Sequence, residues 1–132
     1  MPEIAGINHV SVTVTDLGRS VPWYCEVLGL AQLFEAPHPE DEGKAVVLGK
    51  PDFSMCVGLH THPTNESERF SECRTGLDHI GFAVADRDEL RAWEARLTEL
   101  GVDHSGFNDQ GMYAVVVFRD PDNIQLEMFT MA

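Results

Sequence analysis

Ile7-Asn8-His9-Val10-Ser11-Val12-Thr13-Val14 and Leu77-Asp78-His79-Ile80-Gly81-Phe82-Ala83-Val84 read as two copies of one strand, each with a histidine in third place. An internal repeat decides the architecture before any single residue does. Working outward from each copy, the same order of elements follows. After the first strand, Ser20 suits a helix cap, Pro22 a first helical turn and Gly29 a helix end, with Val21, Tyr24 and Leu28 on one face. After the second, Asp88 suits the cap of a helix through Leu100, closed by Gly101, with Leu90, Trp93, Leu97 and Leu100 at helical spacing.

Strand-like runs complete each half. Lys44 to Leu48 and Phe53 to His60 flank the turn Gly49-Lys50-Pro51-Asp52, and Tyr113 to Phe118 and Ile124 to Phe129 flank Arg119-Asp120-Pro121-Asp122-Asn123. Proline and aspartate preset both reversals. Short strands near Ala31 to Glu35 and Asp103 to Gly106 fill out the pattern β-α-β-β-β, twice. The stretches Glu35 to Gly43 and Thr61 to Gly76 read as polar loops.

Alternation along a strand separates its two faces. Val10, Val12 and Val14 belong under the helix, which leaves His9 with Ser11 and Thr13 on the opposite face. Ile80, Phe82 and Val84 likewise leave His79 with Gly81 and Ala83. In the last strand Ile124, Leu126 and Met128 are core, so Gln125, Glu127 and Phe129 join the histidine face. Two imidazoles and one carboxylate form a ligand set for a divalent metal with open positions. Aligning Ile124–Phe129 with Met55–His60 sets Gly58 against Glu127, so the first half has no carboxylate there. His60 shares that face. Cys56 does too, as a buried, inert thiol. His38, His62 and His104 fall in loops or at strand ends and carry no assignment.

The bulk properties narrow the function. A chain of 132 residues with 43% hydrophobic content fits one compact domain or two tightly packed halves. No apolar run is long enough to span a membrane. The segment Met1 to Gly6 lacks the pattern of a secretion signal. Cys25, Cys56 and Cys73 are odd in number without Cys-x-x-Cys spacing, which suits reduced thiols and a cytoplasmic location. The net charge of −13 repels phosphate backbones, so nucleic acid is an unfavourable partner. That acidity keeps the chain soluble and is compatible with a cationic ligand.

With Ile7-Asn8-His9-Val10, Trp23-Tyr24-Cys25-Glu26-Val27-Leu28-Gly29-Leu30, Leu77-Asp78-His79-Ile80-Gly81-Phe82 and Asp120-Pro121-Asp122-Asn123 before Leu126-Glu127, the chain resembles the vicinal oxygen chelate superfamily over nearly its whole length. That superfamily includes glyoxalase I, extradiol dioxygenases, fosfomycin-resistance enzymes and bleomycin-resistance proteins. The resemblance implies an α+β fold of two tandem β-α-β-β-β modules forming a cupped, partly closed mixed sheet with helices outside. Module one would span about 5–62, a linker about 63–75 and module two about 76–131, all in one domain. It also implies a homodimer and one divalent metal ion per site (Fe, Mn, Ni, Zn or Mg) on His9, His79 and Glu127. Gly58 departs from glyoxalase I, which carries a fourth ligand at that position, so a three-ligand centre is expected.

Two functions compete. In the enzyme reading, a small substrate chelates the metal through two vicinal oxygens, Glu127 holds the metal, and His60 or Tyr113 moves a proton or orients the substrate. In the sequestering reading, a bleomycin-resistance-like protein binds a drug without catalysis, using its acidity and aromatics such as Trp23, Phe34, Phe107 and Phe129. A purely structural module has no positive support in the sequence. The His, His, Glu set favours the enzyme.

Overall fold

A computed structural model describes residues 1–38 and 42–132, in the element order β1 (His9–Thr13), α1 (Leu17–Leu28), β2 (Ala31–His38), β3 (Gly43–Gly49), β4 (Cys56–Thr61), β5 (Ile80–Ala83), α2 (Arg87–Glu99), β6 (Asn108–Asp109), β7 (Ala114–Arg119) and β8 (Gln125–Thr130). The chain divides into two units, Met1–Glu68 and Arg69–Ala132. Each carries its own four-stranded mixed sheet, ordered β1-β4-β3-β2 in the first and β5-β8-β7-β6 in the second. The histidine strand of each unit runs parallel to the unit's last strand, and the remaining pairings are antiparallel. The α+β class and the repeated β-α-β-β-β order are as expected.

Alternation separates core from open face as read from the sequence. In the first unit Val12, Val14, Leu48, Val57 and Leu59 are buried with Tyr24, Val27 and Leu28 of α1. In the second, Ile80, Val116, Phe118, Leu126 and Met128 are buried with Leu90 and Leu97 of α2. Burying a Leu side chain contributes on the order of 1.5–3 kcal/mol, so these two faces hold each helix to its sheet.

The helix starts differ from expectation. Asp16 caps α1, its carboxylate accepting from the Gly18 N–H at 2.9 Å, and Asp86 caps α2, accepting from the Glu89 N–H at 2.9 Å. Both caps stand at the same offset from His9 and His79, so the repeat extends into the turns. Ser20 lies inside α1 instead, fully buried, with no hydrogen-bond partner for its hydroxyl among the described residues. Pro22 consequently sits inside the helix and not in its first turn. Gly29 ends α1 at φ +68°, a left-handed conformation that costs glycine nothing.

β2 continues through His38 because Ala36, Pro37 and His38 pair with Ala45, Lys44 and Gly43. That register replaces part of the loop expected from Glu35. Pro39 and the remainder of that loop, residues 39–41, lie outside the described residues. A bulge between Gln32 and Phe34 sets the phase of β2. In the second unit the strand expected near Asp103 reduces to a single bridge between His104 and Phe118, and β6 follows at Asn108. The β7–β8 reversal is closed by Asp120, whose carboxylate accepts from the backbone N–H groups of Asp122 and Ile124. Asn123 takes the left-handed position at φ +71°. Among the described residues no helix is long and apolar enough to cross a membrane.

Candidate metal centre

In the second unit β5 and β8 run parallel with Gly81 beside Glu127. A Cβ at 81 would lie 3.4 Å from the Glu127 carboxylate, in ordinary van der Waals contact with it. His79, one residue ahead of β5, brings its Nε2 to 3.5 Å from Oε1 of Glu127. Two donors bound to one ion at about 2.0–2.2 Å stand roughly 3–3.5 Å apart, so this separation fits two ligands of a common ion.

The other nitrogen of His79 is engaged. Its Nδ1–H donates to Oδ1 of Asp78 at 2.6 Å. A carboxylate on Nδ1 orients the ring and leaves Nε2 with its lone pair outward, which is how metal-binding imidazoles are held. The Asp78 hydrogen bond also raises the His79 pKa above the ordinary imidazole value. The charges of Glu127 and Asp78 act in the same direction, against partial burial.

The first unit repeats the device. Nδ1–H of His9 donates to Oδ1 of Asn8 at 2.8 Å, again turning Nε2 outward. His9 borders a cavity of about 300 Å³ lined also by Ser11, Phe34, Phe53, Cys56 and His60. The register sets Ser11 beside Gly58, matching Gly81 beside Glu127 in the other unit. Here the glycine lies on the other strand of the pair. A Cβ on Gly58 would lie 2.4 Å from the Ser11 hydroxyl oxygen and 3.1 Å from Nε2 of His60. Cys56 is half-buried in the cavity wall, its thiol directed to the Phe53 carbonyl at 4.0 Å.

Two residues named as proton carriers lie on these open faces. Tyr113 precedes β7 and stacks on Phe129, with centroids 5.2 Å apart, on the face that holds Glu127. His60 uses Nδ1 in a 2.6 Å hydrogen bond with Nε2 of His38, so its Nε2 points toward the cavity at Gly58. Burial, followed by the charges of His38, His62 and His9, holds the His60 pKa below the usual imidazole value. His60 is therefore neutral near pH 7.

Of the four aromatics considered for a drug site, Phe34 stacks on Phe53 at the first cavity and Phe129 on Tyr113. Trp23 instead packs edge-on against Tyr24, and Phe107 lies under the Arg91 guanidinium. The structure thus brings His79 together with Glu127 and sets His9 in the first unit on a face of the same kind. Sequence reading missed His38 and His62, which gather around His60.

A family model for the glyoxalase/bleomycin resistance protein/dioxygenase superfamily matches residues 6–128. The chain belongs to this superfamily. Within the superfamily it is 29% identical over 126 residues to catechol-2,3-dioxygenase of Bacillus subtilis, covering 93% of this chain and 40% of that protein. It is 27% identical over 136 residues to the metallothiol transferase FosB of Bacillus licheniformis, covering 97% of this chain and 77% of the relative. The chain spans about two fifths of the length of its dioxygenase relatives. A glyoxylase/bleomycin resistance protein/dioxygenase domain from Frankia sp. EAN1pec superposes with a TM-score of 0.87 at 30% identity, covering 98% of this chain and all of that one.

Proposed function

We propose that this chain is a divalent-metal-dependent enzyme acting on a small substrate chelated through two vicinal oxygens, with His9, His79 and Glu127 as the metal ligands. The observation that carries the reading is the 3.5 Å spacing of His79 Nε2 and Glu127 Oε1, with both histidines held at Nδ1 by the preceding Asp or Asn. A dioxygenase and a metallothiol transferase among the relatives support a metal-dependent reaction on a small molecule.

A bound Fe, Mn, Ni, Zn or Mg ion would polarise a substrate oxygen and stabilise negative charge developing there. The chain's own residues supply the rest. Asp78 and Asn8 fix the two imidazole orientations. Neutral His60 holds a proton-carrying Nε2 at the first cavity, and the Tyr113 phenol orients substrate on the Glu127 face. The working unit is a homodimer, as the superfamily resemblance implies. The three unpaired thiols support a cytoplasmic setting.

The test is a titration of tag-free protein with Mn(II), followed by the loss of the free ion's paramagnetic resonance. One Mn(II) per chain is expected, abolished in His79→Ala and weakened in His9→Ala. Binding untouched by both substitutions would sink the reading. A thermal-shift series of diketones, thiol adducts, catechols and phosphonates in the presence of Mn(II) then selects the substrate class.

The stacked, half-exposed Phe34–Phe53 pair at the first cavity and the charge of −13 favour a second reading, sequestration of a cationic aromatic drug without chemistry. Stoichiometric binding of such a drug by metal-free protein, lost in Phe34→Ala, would select it over the enzyme.

A further inference from the structure

Apart from the proposed metal ligands, His38, His60 and His62 form a second cluster, all three half-buried in the first unit, and it includes the proton-carrying His60. One ring nitrogen of each lies within 4.8 Å of those of the other two. The strands explain the meeting. β3 separates β2 from β4, and its residues are small where the rings converge: Ala45 pairs with both Ala36 and His60, and Gly43 pairs with His38. Side chains from β2 and from the end of β4 therefore reach across β3 over glycine and alanine. The His38 and His60 rings stack with centroids 4.7 Å apart, and the His38 and His62 rings lie 5.0 Å apart.

We propose that His38, His60 and His62 form a second metal site, selective for a borderline transition-metal ion such as Zn(II), in which three imidazole nitrogens leave one coordination position open. The donor set carries the selectivity. Three nitrogens without a carboxylate suit zinc, copper or nickel and are poor ligands for Mg or Mn, which prefer oxygen. Ligands of a tetrahedral zinc at about 2.0–2.1 Å stand roughly 3.3 Å apart, so the 2.6 Å His38–His60 bond opens while the longer separations close. The proton now shared in that bond moves to the other nitrogen of its own ring, so the lone pairs of both facing nitrogens reach the ion. With His60 bound through Nδ1, its Nε2–H remains directed at the cavity by Gly58. Zinc here would clamp the end of β2 to the end of β4 and set the ring that faces the first cavity.

The site does not rest on the enzyme reading, and its test keeps the two apart. In a His79→Ala/Glu127→Gln background, which strips the proposed catalytic ligands, Zn(II) is titrated against a chromophoric chelator. One zinc per chain is expected. Adding His62→Gln or His38→Gln should weaken it more than about a hundredfold, beyond the loss of an outer hydrogen-bond partner. Zinc binding unchanged by both glutamine substitutions, or absent from this background, overturns the proposal. Should the background variant not fold, Co(II) absorption of the wild-type chain provides the second measurement. His62→Gln must remove a distinct imidazole-bound Co(II) band, and an unchanged spectrum overturns the site.

Discussion

The two units share strand order, parallel histidine strand, aspartate cap and Asx-held imidazole, yet they differ on their open faces at a pair of neighbouring positions. Beside the histidine, the second unit has Gly81 and Glu127, whereas the first has Ser11 and Gly58. The second unit sets a carboxylate on that face. The first sets a hydroxyl and the edge of His60 there, and His38 and His62 gather around His60. Duplication preserved the frame, and two glycines on opposite partners of the pair made the open faces chemically distinct.

The largest expected effect tests the carboxylate side. Glu127→Ala should weaken Mn(II) binding more than about a hundredfold, since it removes an ion ligand and not an outer partner, as read by resonance titration. Glu127→Asp, which retracts the carboxylate, should recover part of that affinity. Next come the cores beneath the two faces. Leu59→Ala in the first unit and Leu126→Ala in the second each empty a fully buried site. Each should cost about 2–5 kcal/mol in urea unfolding. Near-equal losses would show that the two faces are supported alike, and a large inequality would break the symmetry at the level of packing.

The glycines themselves give a smaller and more pointed test. Gly58→Ala drives a methyl into Ser11 and His60 and should cost about 1–3 kcal/mol, part of which Ser11→Gly restores in the double variant. Gly81→Ala meets Glu127 at ordinary van der Waals distance, so it should leave stability nearly unchanged and act on metal affinity instead. Equal destabilisation by the two alanines would remove the asymmetry described above.

The smallest effect lies in acid. Arg119 reaches Glu72 with a two-pronged bond of 2.8 and 3.0 Å. The guanidinium holds the Glu72 carboxyl down to about 2. A lowered carboxylate adds stability above its unfolded value near 4.3 and loses it as pH falls from there through about 2. Glu72→Gln should therefore lower the unfolding midpoint slightly near pH 7 and flatten its acid limb, so that the variant and the parent chain converge as pH falls through about 2.

The strand faces were legible because alternation is local: Val12 and Val14 on one side require His9 and Ser11 on the other, and the same holds for Leu126 and Glu127. The Asx-His dipeptides were equally visible, although their meaning appears only once Nδ1 is seen to donate to Asn8 and Asp78. Helix starts were misplaced by a few residues because several polar residues near each turn can cap, and the backbone geometry at Asp16 and Asp86 selects one. His38 was read as part of a loop because proline and acidic neighbours mask a strand that exists only through pairing with β3.

The sequence by itself determined the duplication, the α+β class and the division of each strand into a core face and an open face. These follow from periodicity and from the residues nearest in the chain. Only the tertiary structure decided that His79 stands 3.5 Å from Glu127, that a Cβ at Gly58 would meet the Ser11 hydroxyl, and that His38 crosses a strand to meet His60 and His62. Each of those depends on the register between strands distant in sequence. A shift of one residue would reverse every face, and the pattern of any single strand does not specify its partner.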